Sequence, residues 1–222
     1  MPPIFDIKNI FFSVFGYDMS HLEFWATLTG AYAVWLSYKE NVWSWVVGLS
    51  SVSLAFILFY QIQLYPDMLL QVFFFITNII GFWSWKFPKE VEANHKKELK
   101  ISMLPLKTSA ILIGIGLVAT FLLGTFSKNL HELFPAIFSL PSAFPYTDSF
   151  TTVMSIVATF MLIRKNVEAW WMWLVIDIIS TYMYFVKDVK LYALLYLGFC
   201  IIAVVGALEW TRKWKLERTV SA

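Results

Sequence analysis

Long apolar stretches separated by short polar breaks dominate the chain, and their lengths predict membrane-spanning helices. A helix needs about 20 mostly apolar residues to cross a bilayer. The sequence contains seven such stretches, at residues 22–38, 43–60, 66–86, 103–125, 147–163, 167–186 and 190–210. This pattern predicts an all-α polytopic membrane protein with seven transmembrane helices.

The segments outside these stretches complete the predicted organisation. In residues 1–21, apolar side chains recur at helical spacing, which predicts an amphipathic helix on the membrane surface. The chain then divides into a three-helix segment 22–86, a linker 87–146 that contains the fourth span, a second three-helix segment 147–210 and a tail 211–222.

The composition agrees with a protein whose solvent is a bilayer. Of the 222 residues, 59% are hydrophobic and only 14% are charged, against about 25% charged in a soluble domain. The net charge of +2 and the scattered lysines give no nucleic-acid surface. The single cysteine, Cys200, excludes a disulfide framework, and the three histidines are too scattered for a metal site. We therefore expect no cofactor and no metal.

The distribution of Lys and Arg predicts the orientation of the spans. Of these 17 residues, 13 fall on one side of the predicted membrane. The other four are Lys8, Lys128, Lys187 and Lys190. Because cytoplasmic loops carry the excess of positive charge, we expect the N-terminus outside and the C-terminus in the cytoplasm.

An internal repeat relates the two three-helix segments. Four residues of the first segment recur 125 positions later as the same or a similar residue. The pairs are Glu23 and Asp148, Asn41 and Asn166, Gly81 and Gly206, and Trp85 and Trp210. A single span between two triplets gives both triplets the same orientation. This predicts two parallel three-helix repeats joined by a linker helix, an architecture that transporters use to form a midplane site.

One acidic residue, Asp177, lies near the middle of the sixth stretch. An acid at the bilayer centre costs about 2.5–3.5 kcal/mol on insertion scales and therefore faces a cavity or a partner. At spacings of three or four it shares a helix face with Trp170, Trp173, Thr181 and Tyr184. The simpler alternative is an acid that a neighbouring hydroxyl satisfies for packing alone.

Other stretches contribute further candidate binding residues. Gln71 and Asn78 lie two turns apart in the third stretch, where each could instead bond to a neighbouring helix. Trp43 and Trp45 begin the second stretch, where tryptophans also serve as interfacial anchors. Tyr196 lies in the seventh stretch.

The polar groups are not duplicated between the repeats, which favours one asymmetric ligand. Asp177 corresponds to Val52, and Tyr196 corresponds to Gln71. Aromatic walls favour a flat ring, a carboxylate with rings favours a cation, and amides and hydroxyls favour polar appendages. The features together predict a flat heteroaromatic ligand, with positive charge as an open possibility.

Three segments resemble the PnuC family of nicotinamide riboside transporters. They are "ENVWSWVVGLSS", "LYPDMLLQVFFFITNIIGFWSW" and "KNVEAWWMWLVIDIISTYMYFVKDVKLYALLYLGF". The resemblance implies a facilitative vitamin transporter of the bacterial inner membrane, with a SWEET-like arrangement of three, one and three helices and a homotrimeric assembly. It also implies that a cytoplasmic kinase traps the imported riboside, which agrees with the absence of a P-loop in this chain.

The substrate and the class of protein leave alternatives open. Similar transporters take thiamine, riboflavin or nucleosides, and Asp177 does not choose between two cationic heteroaromatic vitamins. Whether Asp177 touches the ligand or orients a neighbour is likewise open. An intramembrane enzyme is disfavoured because the sequence offers no acid–base pair and no metal cluster. A receptor without flux is the remaining alternative.

Overall fold

The computed structural model of the chain describes residues 5–14, 16–61, 65–94, 97–133, 144–186 and 190–220. These residues form a two-stranded β-hairpin, β1 (Ile10–Val14) and β2 (Tyr17–Ser20), and eight α-helices. The helices are α1 (His21–Tyr38), α2 (Trp43–Gln61), α3 (Tyr65–Lys86), α4 (Leu106–Lys128), α5 (Leu130–Leu133), α6 (Pro145–Ile163), α7 (Glu168–Val186) and α8 (Lys190–Val220). The chain divides into two compact units, Met1–Lys100 and Ile101–Ala222.

Six helices of the described residues are long and apolar enough to cross a membrane. They are α2, most of α3, α4, α6, α7 and most of α8. Helix α1 has 18 residues but includes His21 and Glu23, so its mean hydropathy is lower. Between 17% and 33% of each apolar window is buried within the chain. The remaining apolar surface, which would promote aggregation in water, suits a lipid solvent.

The N-terminal segment forms a β-hairpin, so the amphipathic helix expected over residues 1–21 is wrong for the described part. Strands β1 and β2 pair antiparallel, and Gly16 lies in the turn with a φ of 79°. Glycine adopts this left-handed conformation without steric cost. The segment is also too short to gain much from helix formation, and its Ile, Phe and Val residues favour strands.

Side-chain hydrogen bonds join the N-terminal segment to α1 and α2 within the first unit. The Gln61 side chain accepts a hydrogen bond from the backbone N–H of Ile7 (3.2 Å) and donates one to the carbonyl of Phe5 (2.5 Å). The Tyr17 hydroxyl donates a hydrogen bond to the buried Glu23 carboxylate. Burial, together with this hydrogen bond, raises the pKa of the Tyr17 hydroxyl well above its usual value.

The first unit contains α1 to α3, with α2 packed against both neighbours. Ser20 caps α1 by accepting a hydrogen bond from the backbone N–H of Glu23 (3.1 Å). Helix α1 ends in a Schellman turn, in which Glu40 has a φ of 59° and the Asn41 N–H donates to the Leu36 carbonyl (3.0 Å). This tight turn allows α2 to begin at Trp43.

The second unit contains α4 to α8, and its central turn has the same geometry. After helix α6 ends at Ile163, Lys165 has a φ of 50° and the Asn166 N–H donates to the Met161 carbonyl (2.9 Å). The Asn166 amide also donates to the Ser102 hydroxyl (2.7 Å), which ties the turn to the segment before α4. Helices α2 and α7 both have 19 residues and begin 125 positions apart, at 43 and 168.

Two observed helices, α4 and α8, differ from the predicted spans by three residues or more. Helix α8 continues through most of the predicted tail 211–222, because that tail contains good helix formers and Lys213 forms an ion pair with Glu209 one turn earlier (3.8 Å). Helix α4 begins at Leu106 rather than at 103, since Pro105 occupies its N-cap position. Residues 62–64, 134–143 and 187–189, which connect predicted spans, lie outside the described residues.

Candidate functional site

Asp177 is buried in the middle of α7, within the second unit. Its side chain is 5% exposed, and no Lys, Arg or His lies elsewhere in α7. Thr181, one turn away, donates its hydroxyl hydrogen bond to the backbone carbonyl of Asp177 (2.7 Å) rather than to the carboxylate. The alternative in which a neighbouring hydroxyl satisfies the acid is therefore not supported, because no hydroxyl among the described residues of this helix donates a hydrogen bond to the Asp177 carboxylate.

The Asp177 carboxylate makes no hydrogen bond or ion pair within the described part of the chain. Burial of a carboxylate without a partner is strongly unfavourable, because the lost hydration has no replacement. Such a group in a membrane helix marks a substrate or ion pathway. This unpartnered acid is the clearest chemical signal in the second unit.

Aromatic rings from α7 and α8 lie along the same face. Tyr184 of α7 stacks on Tyr196 of α8, with ring centroids 5.2 Å apart and planes at 20°. Tyr192 adds a tilted contact to Tyr184 at 5.4 Å. Trp173 is half-buried against the α6–α7 core around Met154. The second unit thus brings Tyr184 and Tyr196 together, and Thr181 and Asp177 lie one and two turns before Tyr184 on α7. Their role in ligand binding stays a prediction.

Trp170, which the sequence places in the same stripe, packs into the helix interface. Its indole lies against Gly206, where an added Cβ atom would approach the ring to 2.6 Å. It meets Trp210 edge to face at a centroid distance of 5.4 Å. The role of Trp170 in ligand binding stays a prediction, while the observed contacts give it a packing role.

Trp45 repeats this arrangement in the first unit. It packs against Gly81, where a Cβ atom would lie 2.5 Å from the indole, and against Trp85 at 5.3 Å. The indole N–H groups of Trp45 and Trp170 are both buried without a hydrogen-bond partner in the structure. Trp45 packs α2 against α3, and Trp170 packs α7 against α8.

The remaining candidates of the first unit have different surroundings. Asn78 packs its amide oxygen over Gly48 and donates its amide N–H to the Phe74 carbonyl (2.8 Å), so its observed contacts join α2 and α3. Gln71 lines a groove between these helices. Trp43, the first residue of α2, is 60% exposed, which suits an interfacial anchor. Their roles in ligand binding also stay predictions.

Sequence reasoning missed two polar residues of the second unit. Cys200 lies one turn after Tyr196 on α8, and the Tyr184–Tyr196 contact places this part of α8 beside the turn of α7 that contains Thr181. The spacing of four residues from Tyr196 could have identified it, but its apolar surroundings in the sequence hid it. Glu168 begins α7 and accepts a hydrogen bond from the Leu104 N–H (2.9 Å).

Comparison with known proteins gives a consistent family. The profile of the family described as nicotinamide mononucleotide transporter matches residues 20–212. The chain is 33% identical to the nicotinamide riboside transporter PnuC of Escherichia coli, over 93% of both chains. It is 22% identical to the riboflavin/roseoflavin transporter RibM of Streptomyces davaonensis, over 82% of this chain and 81% of that protein.

A solved structure supports the same assignment. The crystal structure of the vitamin B3 transporter PnuC matches with a TM-score of 0.67 and 26% identity, covering 88% of this chain and 83% of that chain. These findings confirm the resemblance seen in the sequence, and they confirm the expectation of a transporter rather than an enzyme. The chain belongs to the nicotinamide mononucleotide transporter family, which includes the PnuC nicotinamide riboside transporters.

Proposed function

We propose that the protein is a facilitative transporter that imports nicotinamide riboside for NAD synthesis. The observation that carries this proposal is the buried Asp177 carboxylate, which has no partner among the described residues. Nicotinamide riboside is a flat pyridinium cation that bears ribose hydroxyls. The carboxylate complements the ring's charge, and the nearby tyrosines and Trp173 supply faces for cation–π contact, worth about 0.5–2 kcal/mol.

Charge favours the riboside over its 5′-phosphate. A bound phosphate is normally met by Arg or Lys, whose charge and donors match its oxygens. Helices α2, α6 and α7 contain no Lys or Arg, and α3 has only Lys86 at its last position. In α8, positive charges occur at Lys190 and again from Arg212 onward, leaving the apolar middle without any. A phosphorylated ligand would also be repelled by Asp177.

The architecture that accompanies this proposal has seven spans. Helix α1 completes the first triplet, α4 is the linker, and α6 to α8 form the second triplet. The matching helix lengths and the matching tryptophan–glycine contacts of the two units support a duplicated origin. We place the protein in the bacterial inner membrane as a homotrimer, with the N-terminus outside and the C-terminus in the cytoplasm, where the excess of Lys and Arg lies.

Trapping by a cytoplasmic kinase would make uptake directional. Phosphorylation of the imported riboside adds charge, and the charged product no longer suits a site built around an acid. No energy source in the transporter is then required, which agrees with the absence of a P-loop from the sequence.

Another vitamin on the same scaffold is the second candidate. The relative named for riboflavin and roseoflavin favours this possibility, since it covers 82% of this chain. Thiamine is also a cationic heteroaromatic, so the Asp177 charge suits it too, and nucleosides share the ribose hydroxyls. Calorimetric binding to the purified protein separates these substrates. The proposal predicts saturable binding of nicotinamide riboside, with weaker binding of its mononucleotide, thiamine, riboflavin and uridine. Tighter binding of any of these four compounds would overturn the assignment.

A further inference from the structure

The helix pairs α2–α3 and α7–α8 correspond in the sequence repeat, and side chains at matching positions of the two pairs differ in polarity. In the first unit, α2 and α3 enclose a groove of about 360 Å³. Its lining residues are Val52, Ser53, Phe56, Ile57, Gln71, Val72 and Phe75. Apart from Ser53 and Gln71, these residues are apolar. The groove therefore offers little to a polar or charged ligand.

Three apolar lining positions of the first unit correspond to polar residues in the second unit, 125 residues later, whereas Ser53 and Gln71 correspond to Ile178 and Tyr196. Val52 corresponds to Asp177, Phe56 to Thr181 and Phe75 to Cys200. An acid, a hydroxyl and a thiol thus stand where the first unit has three apolar side chains. This substitution of chemistry on a duplicated scaffold is concentrated on one helix face of α7 and one of α8.

The helix register places Cys200 of α8 opposite the part of α7 that contains Asp177 and Thr181. Trp170 contacts Trp210, and Tyr184 contacts Tyr196, so α7 and α8 run antiparallel with a fixed register. Between these two contacts, residues 177 and 181 of α7 face the turn of α8 that contains Cys200.

We infer that Cys200 is a specificity-determining residue that contacts the substrate beside Asp177. The inference rests on the proposed function and adds one contact residue to the proposed binding site. Asp177 supplies the negative charge, and the small polarisable thiol leaves room for a flat cationic ring that a phenylalanine, as at position 75, would exclude. The second observation that points to a ligand here is the Asp177 carboxylate, which is 5% exposed and has no partner in the described residues.

The chain offers a direct test, because Cys200 is its only cysteine. The rate of N-ethylmaleimide labelling of the purified protein is measured by intact mass, with and without nicotinamide riboside. The inference predicts that a saturating concentration slows labelling at least fivefold, with a concentration dependence that matches the calorimetric Kd. Uridine, at the same concentration, serves as the control and leaves the rate unchanged. An unchanged rate under saturating riboside would overturn the inference.

Substitution at the same position gives a second, independent readout. Cys200→Ala is expected to keep the affinity for the riboside within threefold, whereas Cys200→Phe weakens it at least 30-fold. Leu208→Phe, at a position on the same helix that is 60% exposed and whose counterpart in the first unit does not line the groove, is the matched control for added bulk. Size-exclusion profiles and Tm values identify any variant that misfolds.

The outcomes separate the inference from the proposed function. Wild-type protein that binds the riboside, together with a well-folded Cys200→Phe variant of equal affinity, contradicts the role of Cys200 alone. Wild-type protein that does not bind the riboside contradicts the proposed function. Should the thiol be unreactive with and without ligand, the affinity of Cys200→Phe decides.

Discussion

At the scale of single residues, Asp177 shows both the reach and the limit of sequence reasoning. A lone acid in an apolar stretch is visible in the sequence, and helical spacing correctly places Thr181 and Tyr184 on its face. The same spacing does not show whether a tryptophan faces a ligand or packs against a glycine of another helix. The packing role of Trp170 is visible only from its contact with Gly206, which is 36 residues away and depends on how α7 packs against α8. Cys200 was missed because its sequence neighbours are apolar and its position relative to α7 likewise depends on helix packing.

The charge of Asp177 is expected to contribute directly to affinity. Asp177→Asn keeps hydrogen-bonding capacity but removes the charge, so we expect the Kd for nicotinamide riboside to rise about tenfold, or about 1.4 kcal/mol. Asp177→Val, which copies the first unit, is expected to abolish measurable binding. Calorimetry on both variants tests this, with Glu209→Gln as a control on the half-exposed ion pair of α8. Equal affinity of Asp177→Val and wild type would exclude contact between this residue and the ligand.

Tyr17 makes the stability of the hairpin region sensitive to alkaline pH. Because the pKa of its hydroxyl is raised in the folded protein, its stabilising effect is complete below pH 10 and declines as the pH rises beyond that value. We expect Tm to fall more steeply between pH 9 and pH 11 in wild type than in Tyr17→Phe. Thermal unfolding in detergent measures both slopes. Parallel slopes would show that the Tyr17–Glu23 contact does not persist in solution.

At the scale of elements, apolar periodicity predicted the spanning helices well and the N-terminal segment poorly. Helices α2, α3, α6 and α7 begin within two residues of the predicted positions, since polar turn residues mark their ends. The hairpin was missed because its apolar spacing also fits a helix, and only the turn at Gly16 distinguishes the two. The extension of α8 beyond residue 210 was missed because a helix continues into water where hydropathy no longer marks it.

The two tryptophan–glycine contacts predict a pair of sensitive glycines. Gly81→Ala and Gly206→Ala would each push a Cβ atom into an indole ring, and overpacking of this kind costs about 1–3 kcal/mol. We expect both variants to lower Tm. Gly198→Ala is the matched control, because nothing lies within 4 Å of its added Cβ atom, and alanine favours the helix. A Tm for Gly206→Ala equal to that of Gly198→Ala would argue against tight packing at this contact.

At the scale of the whole molecule, sequence similarity gives the family, and the distribution of charge predicts the orientation. The positive charges cluster on one side of the predicted spans, with Lys86, Arg164 and Arg212 at or just beyond the ends of α3, α6 and the apolar part of α8. Neither the substrate nor the assembly follows from this pattern, because one scaffold serves several vitamins among the relatives. We expect the substrate to depend on the side chains around Asp177, and the assembly to depend on apolar surfaces that are similar on every spanning helix.

The predicted orientation can be tested in a cysteine-free background. In Cys200→Ala protein, we expect Ser13→Cys to react with a membrane-impermeant maleimide in intact spheroplasts, since the hairpin precedes the first span. Ser221→Cys is expected to react only after lysis, because the basic C-terminal segment remains in the cytoplasm. The reverse pattern would invert the proposed topology.

The central claim is facilitated transport of nicotinamide riboside, and uptake of the radiolabelled riboside into proteoliposomes tests it most directly. The account predicts saturable uptake that needs no ion gradient, equilibrates at equal internal and external concentrations, and is lost in Asp177→Val. Enclosing a riboside kinase with ATP should raise accumulation beyond that equilibrium. Sealed vesicles that contain folded wild-type protein but show only the uptake of protein-free vesicles would contradict the account.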